Sequence, residues 1–148
     1  MEVFRAKIEH LEPIAQLFDQ YRVFYGQNSD AIAAKMFVQE RLQNRDSVIF
    51  VANDEKIVGF AQLYPSFSSV SMQRIWILND LFVVATHRRK GIAKLLLETA
   101  KQHAQETEAI RITLATQISN ISAQTLYESL GYTRDEEFYR YSLKVSDF

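Results

Sequence analysis

Six consecutive residues, Arg88, Arg89, Lys90, Gly91, Ile92 and Ala93, carry the most specific chemistry in this chain. They follow an apolar, strand-like run and precede a helical one, so they form a strand-to-helix turn. Backbone amides at a helix start lack intrahelical acceptors and carry the positive end of the helix dipole, so they can hold a phosphate. Gly91 lets that backbone approach closely. With Lys94, the cations Arg88, Arg89 and Lys90 crowd a helix end that prefers anions, an arrangement disfavoured by roughly 0.3 to 1 kcal/mol per charge. A bound polyanion would reverse the penalty. The competing reading is a solvated charged turn. The strand-turn-helix setting argues against it, because a phosphate cradle requires that placement. The turn lacks the Gly-x-x-x-x-Gly-Lys-Ser/Thr spacing of a nucleotide-hydrolysing loop and the three glycines of a dinucleotide fold, so ATP and NAD are poor candidates.

Other chemistries find little support. The chain has no cysteine, which removes disulfides, thiolate metal sites and a thiol nucleophile and fits a reducing compartment. His10, His87 and His103 show no metal-site spacing, and no metal is expected. There is no Gly-x-Ser-x-Gly nucleophile elbow. At 148 residues, with 47% hydrophobic and 24% charged residues, one globular domain over residues 1–148 is expected. A formal net charge of -1 supplies no overall attraction to nucleic acid or an anionic membrane. Neither a signal-like apolar start nor a run approaching the roughly 20 apolar residues of a membrane helix is present, so a cytoplasmic location is the default.

The elements that position the turn follow from periodicity. Residues 3–6 read as a short strand. Leu11, Ile14, Ala15, Phe18, Tyr21 and Tyr25 recur at helical spacing, with Pro13 in the first turn and Gly26 as the stop. Asp30 caps a second helix over residues 31–43. The apolar run 48–52 reads as a buried strand, Asn53 and Asp54 as a turn, and residues 57–64 as its hairpin partner. Pro65 and the serine-rich residues 66–71 break the pattern. Residues 74–85 form the longest strand, and its irregular alternation at Asn79, Asp80 and Leu81 predicts a β-bulge, which re-aims backbone groups. A helix over residues 91–105 buries Ile92, Leu95, Leu96, Thr99 and Ala100, and residues 110–116 form a strand. Ser119 or Asn120 caps a helix whose Ala123, Leu126, Tyr127 and Leu130 share a face, Gly131 ends it, and residues 138–143 supply the last strand. The order β-α-α-β-β-β-α-β-α-β makes the fold α/β, or α+β by stricter usage: a mixed central sheet with helices on both faces.

Arg88, Gly91 and Ala93, followed by Asn120, Ala123, Tyr127, Gly131 and Tyr132, resemble the diphosphate loop and a second motif of the GNAT superfamily of N-acetyltransferases. The element order agrees across almost the whole chain. The resemblance implies acetyl-CoA as donor, its diphosphate on the turn from Arg88 through Lys94. It also implies a sheet splayed beside the long central strand, with the pantetheine arm along the backbone of Leu81, Phe82 and Val83. Asn120 would contact that arm, and Tyr127 would aim its hydroxyl at the sulfur. A tyrosine with a pKa of about 10 stays protonated at neutral pH and can protonate a departing thiolate. Alternatively, Tyr127 is a core residue on the buried stripe.

An amine with a pKa near 10.4 is mostly protonated at pH 7, so some group must accept its proton before attack. Residues 76–83 resemble the corresponding strand of diamine N-acetyltransferases, in which acidic residues stand before the donor site. Asp80 matches one, as base or as bulge residue; Asn79 stands where a glutamate often does. Phe24 and Tyr25 are candidate walls of the acceptor site, or core residues. The expected reaction is direct acetyl transfer to the primary amine of a small molecule. The alternatives are a protein lysine or amino-terminal acetyltransferase, and a non-catalytic CoA-binding module. Small enzymes of this kind are often dimers, so a homodimer is an assembly the resemblance allows.

Overall fold

The continuous apolar run at residues 48–52 folds into the heart of a buried strand, β2 (Val48–Asp54). Around it the computed structural model, which describes residues 1–147, places β1 (Glu2–Arg5), β3 (Lys56–Ser68), β4 (Gln73–Val83) and β5 (Ile112–Thr113) in one sheet ordered β1-β2-β3-β4-β5. Neighbours are antiparallel except β4 and β5, which are parallel. The helices are α1 (Leu11–Phe24), α2 (Ala31–Asn44), α3 (Ile92–Glu106) and α4 (Ile121–Ser129). The fold is mixed α/β. The chain divides into two compact units, residues 1–115, which hold the sheet and α1 to α3, and the residues from 116 onward, which hold α4.

In the first unit the strand alternation assigns the faces. Ile49, Val51, Phe60 and Phe82 share a core with Leu11, Ile14, Leu17 and Phe18 of α1 and Ala34 and Val38 of α2. On the other face, the Phe50 and Trp76 rings meet His103 of α3 at 5.5 and 4.8 Å, and Trp76 Nε1 donates to Thr107 Oγ1 at 2.8 Å. Phe60, Ile14 and Leu96 are at most 1% exposed, and each such burial contributes about 1.5–3 kcal/mol relative to exposure. Gly59 sits in a tight spot between the β4 backbone and α3. A Cβ there would stand 3.0 Å from Phe82 O and 3.5 Å from Leu96 Cδ1.

The expected bulge is present. Gln62 pairs with Asp80 but Leu63 pairs with Leu78, leaving Asn79 as the extra residue. Because side chains alternate along a strand, one extra residue reverses the facing of all that follow. Trp76 faces α3, whereas Phe82 faces α1 and α2, and Asp80 is carried to the α1/α2 side with it.

Helix boundaries follow local signals. Asp30 accepts from the Ala33 amide at 3.0 Å as the α2 cap. Asp19 accepts from Ser29 Oγ and, at 2.8 Å, from the Asp30 amide, tying the α1–α2 loop back to α1; the Ser29 hydrogen bond, then that of Asp30, hold its carboxyl below the usual range.

Several boundaries differ from expectation. The β2–β3 turn passes through Glu55 at φ 64, with Asn53 and Asp54 still in the strand. β3 runs on through Pro65 to Ser68. Its pairing with β2 ends at Val48 and Leu63, so Pro65 has a strand neighbour on one side only, where a missing amide hydrogen is tolerated. In α3, Leu97 is buried, Leu95 is 40% exposed and Thr99 is only half-buried, because the buried face is turned toward Leu97 from the expected stripe while keeping Ile92, Leu96 and Ala100. β5 is only two residues long. Residues 138–143 form no strand: Phe138, Tyr139, Tyr141 and Leu143 are 74 to 93% exposed. Alternation equips a segment for a sheet, but a strand exists only where a ladder partner takes its amides.

Candidate active site

β4 pairs with β5 only at Trp76–Ile112 and Ile77–Thr113. Beyond Ile77, no strand among the described residues covers that edge, while the other edge stays paired with β3 through Leu81, Phe82 and Val83. Main-chain groups along Leu81, Phe82 and Val83 therefore border an open sheet edge, able to accept an extended amide-bearing arm as an added strand would be.

The turn after β4 passes through a 3-10 turn, Ala85–His87, and reaches Gly91 at φ 78 and ψ 11, directly before α3. Arg89 is also left-handed, at φ 62. Among the described residues, the amides of Arg89, Lys90, Gly91, Ile92, Ala93 and Lys94 donate to no backbone carbonyl; the first to do so is Leu95, to Gly91 O at 3.1 Å. Left-handed Gly91 before helical Ile92 is the backbone alternation that gathers amides around an anion. Ile92 anchors the helix start in the core at 2% exposure, whereas Arg89, Lys90 and Lys94 are exposed. Arg88 behaves differently. Its Nε donates to Val83 O at 3.0 Å, and its guanidinium lies 5.2 Å from the Phe24 ring and 5.6 Å from Phe82.

Phe24 and Tyr25, at the end of α1, are 57% and 41% exposed, too open for core residues. They belong to an aromatic wall: Phe24 stands 6.3 Å from Phe82, Tyr25 lies 5.1 Å from Tyr21, and Tyr21 lies 5.9 Å from Phe82. The wall and the amide row are joined through Arg88.

Asp80 is 7% exposed, and both carboxylate oxygens accept hydrogen bonds: Oδ2 from Gln62 Nε2 at 2.7 Å, Oδ1 from Asn79 Nδ2 at 3.1 Å. Gln62, itself 2% exposed, accepts from Ser47 Oγ at 2.9 Å. Tyr64 shares this side of β3. Burial first, then the Asp80 charge, push its hydroxyl up to about 12. Ser47, Gln62 and Tyr64 were not singled out from sequence. The available signal was Gln62, a lone amide inside the apolar run of residues 57–63.

In the second unit, Asn120 Oδ1 accepts from the Ala123 amide at 3.1 Å and caps α4, so Asn120 has its amide NH2 left to donate. Tyr127 is half-buried, its ring 5.9 Å from that of Tyr132, and burial raises the Tyr132 hydroxyl above its usual value. Gly131 ends the helix at φ 93. Among the described residues, no cluster of His, Asp or Glu side chains is placed to hold a metal, and no helix is long and apolar enough to cross a membrane. A surface depression of about 460 Å³ between α1 and α2, lined by Glu12, Asp19 and Lys35 among others, contains none of the candidate residues. Its side chains offer no row of amide donors, so the open edge of β4 is the better candidate.

An open stretch of strand, a bulge and a bare amide row at the following helix make a candidate site for an acyl donor, and comparison with known proteins supplies the family. Residues 11–132 match the acetyltransferase (GNAT) family model, and the chain belongs to that family. It is similar to an uncharacterised N-acetyltransferase, YhfO, of Bacillus subtilis (strain 168), at 48% identity over 98% of both chains. A probable acetyltransferase of Haemophilus influenzae is 33% identical, covering 76% of this chain and 78% of its own. A crystal structure of a probable acetyltransferase superposes with a TM-score of 0.94 at 46% identity, covering 99% of this chain and 100% of the other. The protein is an acetyltransferase.

Proposed function

We propose that the chain transfers an acetyl group from acetyl-CoA directly to a primary amine of a small molecule. The observation that carries this reading is the uninterrupted run of unpaired amides from Arg89 to Lys94, which follows β4 and the 3-10 turn after it. Those amides, with Arg89, Lys90 and Lys94 around them, fit a diphosphate; the edge at Leu81, Phe82 and Val83 fits the pantetheine amides. Acetyl-CoA, when bound, supplies an activated thioester carbonyl. The residues supply the rest. The Leu81 to Val83 backbone orients the arm, Asn120 adds a donor, Asp80 takes a proton from the acceptor ammonium, and Tyr127 returns one to the thiolate.

Arg88 lies over the Phe24 and Phe82 rings, which leaves the exposed Tyr25 ring to meet an acceptor ammonium, since aromatic faces attract a cation within about 6 Å of their centroids. Free-thiol release from acetyl-CoA with polyamines, lysine analogues, amino sugars and lysine-bearing peptides is the test. Turnover should be highest with a small amine. Faster turnover with peptides would replace this reading by a protein-modifying one, and an acetylated enzyme side chain trapped during turnover would overturn direct transfer.

A further inference from the structure

Asp80 is a buried carboxylate with no cationic side chain within ion-pair distance among the described residues. Its hydrogen-bond partners are two neutral amides, those of Gln62 and Asn79. A buried charge without a counter-ion is expensive, so this arrangement suits a group that meets its cation only when substrate arrives. The groups around it are consistent. Tyr64 faces it from β3 as a neutral phenol, and Arg41 at the end of α2 is engaged by Asp46 at 2.8 Å and Glu40 at 3.0 Å.

The orientation of Asp80 then depends on which end of the Gln62 amide it meets. A carboxylate selects the NH2 end, since an amide oxygen there would place two acceptors face to face. That leaves Gln62 Oε1 buried on the far side, where the Ser47 hydroxyl donates to it at 2.9 Å. Ser47 and Gln62 thus form one directed chain of donors ending on the Asp80 carboxylate, with Asn79, the extra residue of the bulge, donating to its second oxygen.

We propose that Gln62, braced by Ser47, is a positioning residue that holds the Asp80 carboxylate ready to accept the proton of the acceptor ammonium. In that step an N–H bond of the ammonium breaks, an O–H bond forms on Asp80, and the freed amine lone pair attacks the thioester. The inference rests on the reading of Asp80 as the proton acceptor.

The experiment is the pH profile of kcat/KM for the best amine found in the screen, with donor KM measured in parallel, for Ser47→Ala, Gln62→Glu, Gln62→Met and Asp80→Asn. Gln62→Glu sets a second carboxylate against Asp80 and should move the acid limb up by about one pH unit or more. Gln62→Met removes a donor to the carboxylate and should move it the same way, with donor KM unchanged; Ser47→Ala should give a smaller shift of the same sign. If Gln62→Glu does not fold, Ser47→Ala and Gln62→Met carry the test. Folded variants with lowered melting temperatures but an unmoved acid limb would overturn the positioning role and leave Asp80 in place. Wild-type kcat/KM and pH profile in Asp80→Asn would overturn the underlying reading itself.

Discussion

Tyr127 is the residue on which the proposed chemistry turns. It belongs to α4, whose first turn is ordered by the Asn120 cap, and its half-buried ring lies beside that of Tyr132, beyond the helix end. Replacing Tyr127 by Phe keeps the ring and removes only the hydroxyl, so turnover should fall by roughly 10²-fold or more while donor affinity, read by calorimetry, barely changes. Unchanged turnover would remove Tyr127 from the mechanism. His103 makes a separate prediction, about stability. Its ring is packed against Phe50 and Trp76, and its Nε2 is buried with no hydrogen-bond partner among the described residues. Burial first, then Arg5, with a smaller push from Arg74 and opposition from Glu106, lower its pKa below 6.5. The unfolded chain therefore takes up a proton at a higher pH than the folded one. The contribution of neutral His103 is complete above about pH 6.5 and is lost as pH falls below it, down to the depressed folded value. Thermal melts from pH 7.5 to 5 should show this loss, and His103→Phe should flatten it.

At the scale of elements, the turn between β4 and α3 does two jobs in opposite directions. Its amides from Arg89 to Lys94 stay bare, while Arg88 reaches back to Val83 O and the Phe24 and Phe82 rings. Gly91 makes the bare row possible by standing at φ 78. A Cβ at Gly91 would meet nothing within 4 Å, so the cost of Gly91→Ala is conformational, about 1–2 kcal/mol for the left-handed state. If the chain relaxes to escape that strain, the amides no longer converge. Acetyl-CoA affinity should drop about tenfold or more by calorimetry, with a small loss in melting temperature. Undiminished affinity would show that the amide row does not hold the donor. β4 itself is divided by the Asn79 bulge, which lets one strand pack Trp76 against α3 and present Asp80 to the α1/α2 side.

For the whole molecule, a net charge of -1 leaves no global field to draw in an anion, so the proposed donor capture rests on the local cations Arg89, Lys90 and Lys94. These are exposed, and the screening length shortens from about 10 Å at 0.1 M salt to about 3 Å at 1 M. Donor Kd should therefore weaken steadily with ionic strength, and Arg89→Ala with Lys90→Ala should flatten the dependence. How much of this was legible in the sequence differs by level. Periodicity, caps and breakers located α1, α2, α3, α4 and β2 to β4 within a few residues, because each signal is carried by side chains that act within a turn or two of helix. The Gly91 turn and the Asn79 bulge were readable for the same local reason. The Ser47–Gln62–Asp80 chain was not, since its members lie 15 and 18 residues apart and meet only through sheet register. Nor was the course of Arg88, which depends on where α1 sets Phe24. The segment at residues 138–143 is the converse case. Its alternation is strand-like, yet hydrogen bonding between strands belongs to a pair, so only the tertiary structure decides whether such a segment becomes one.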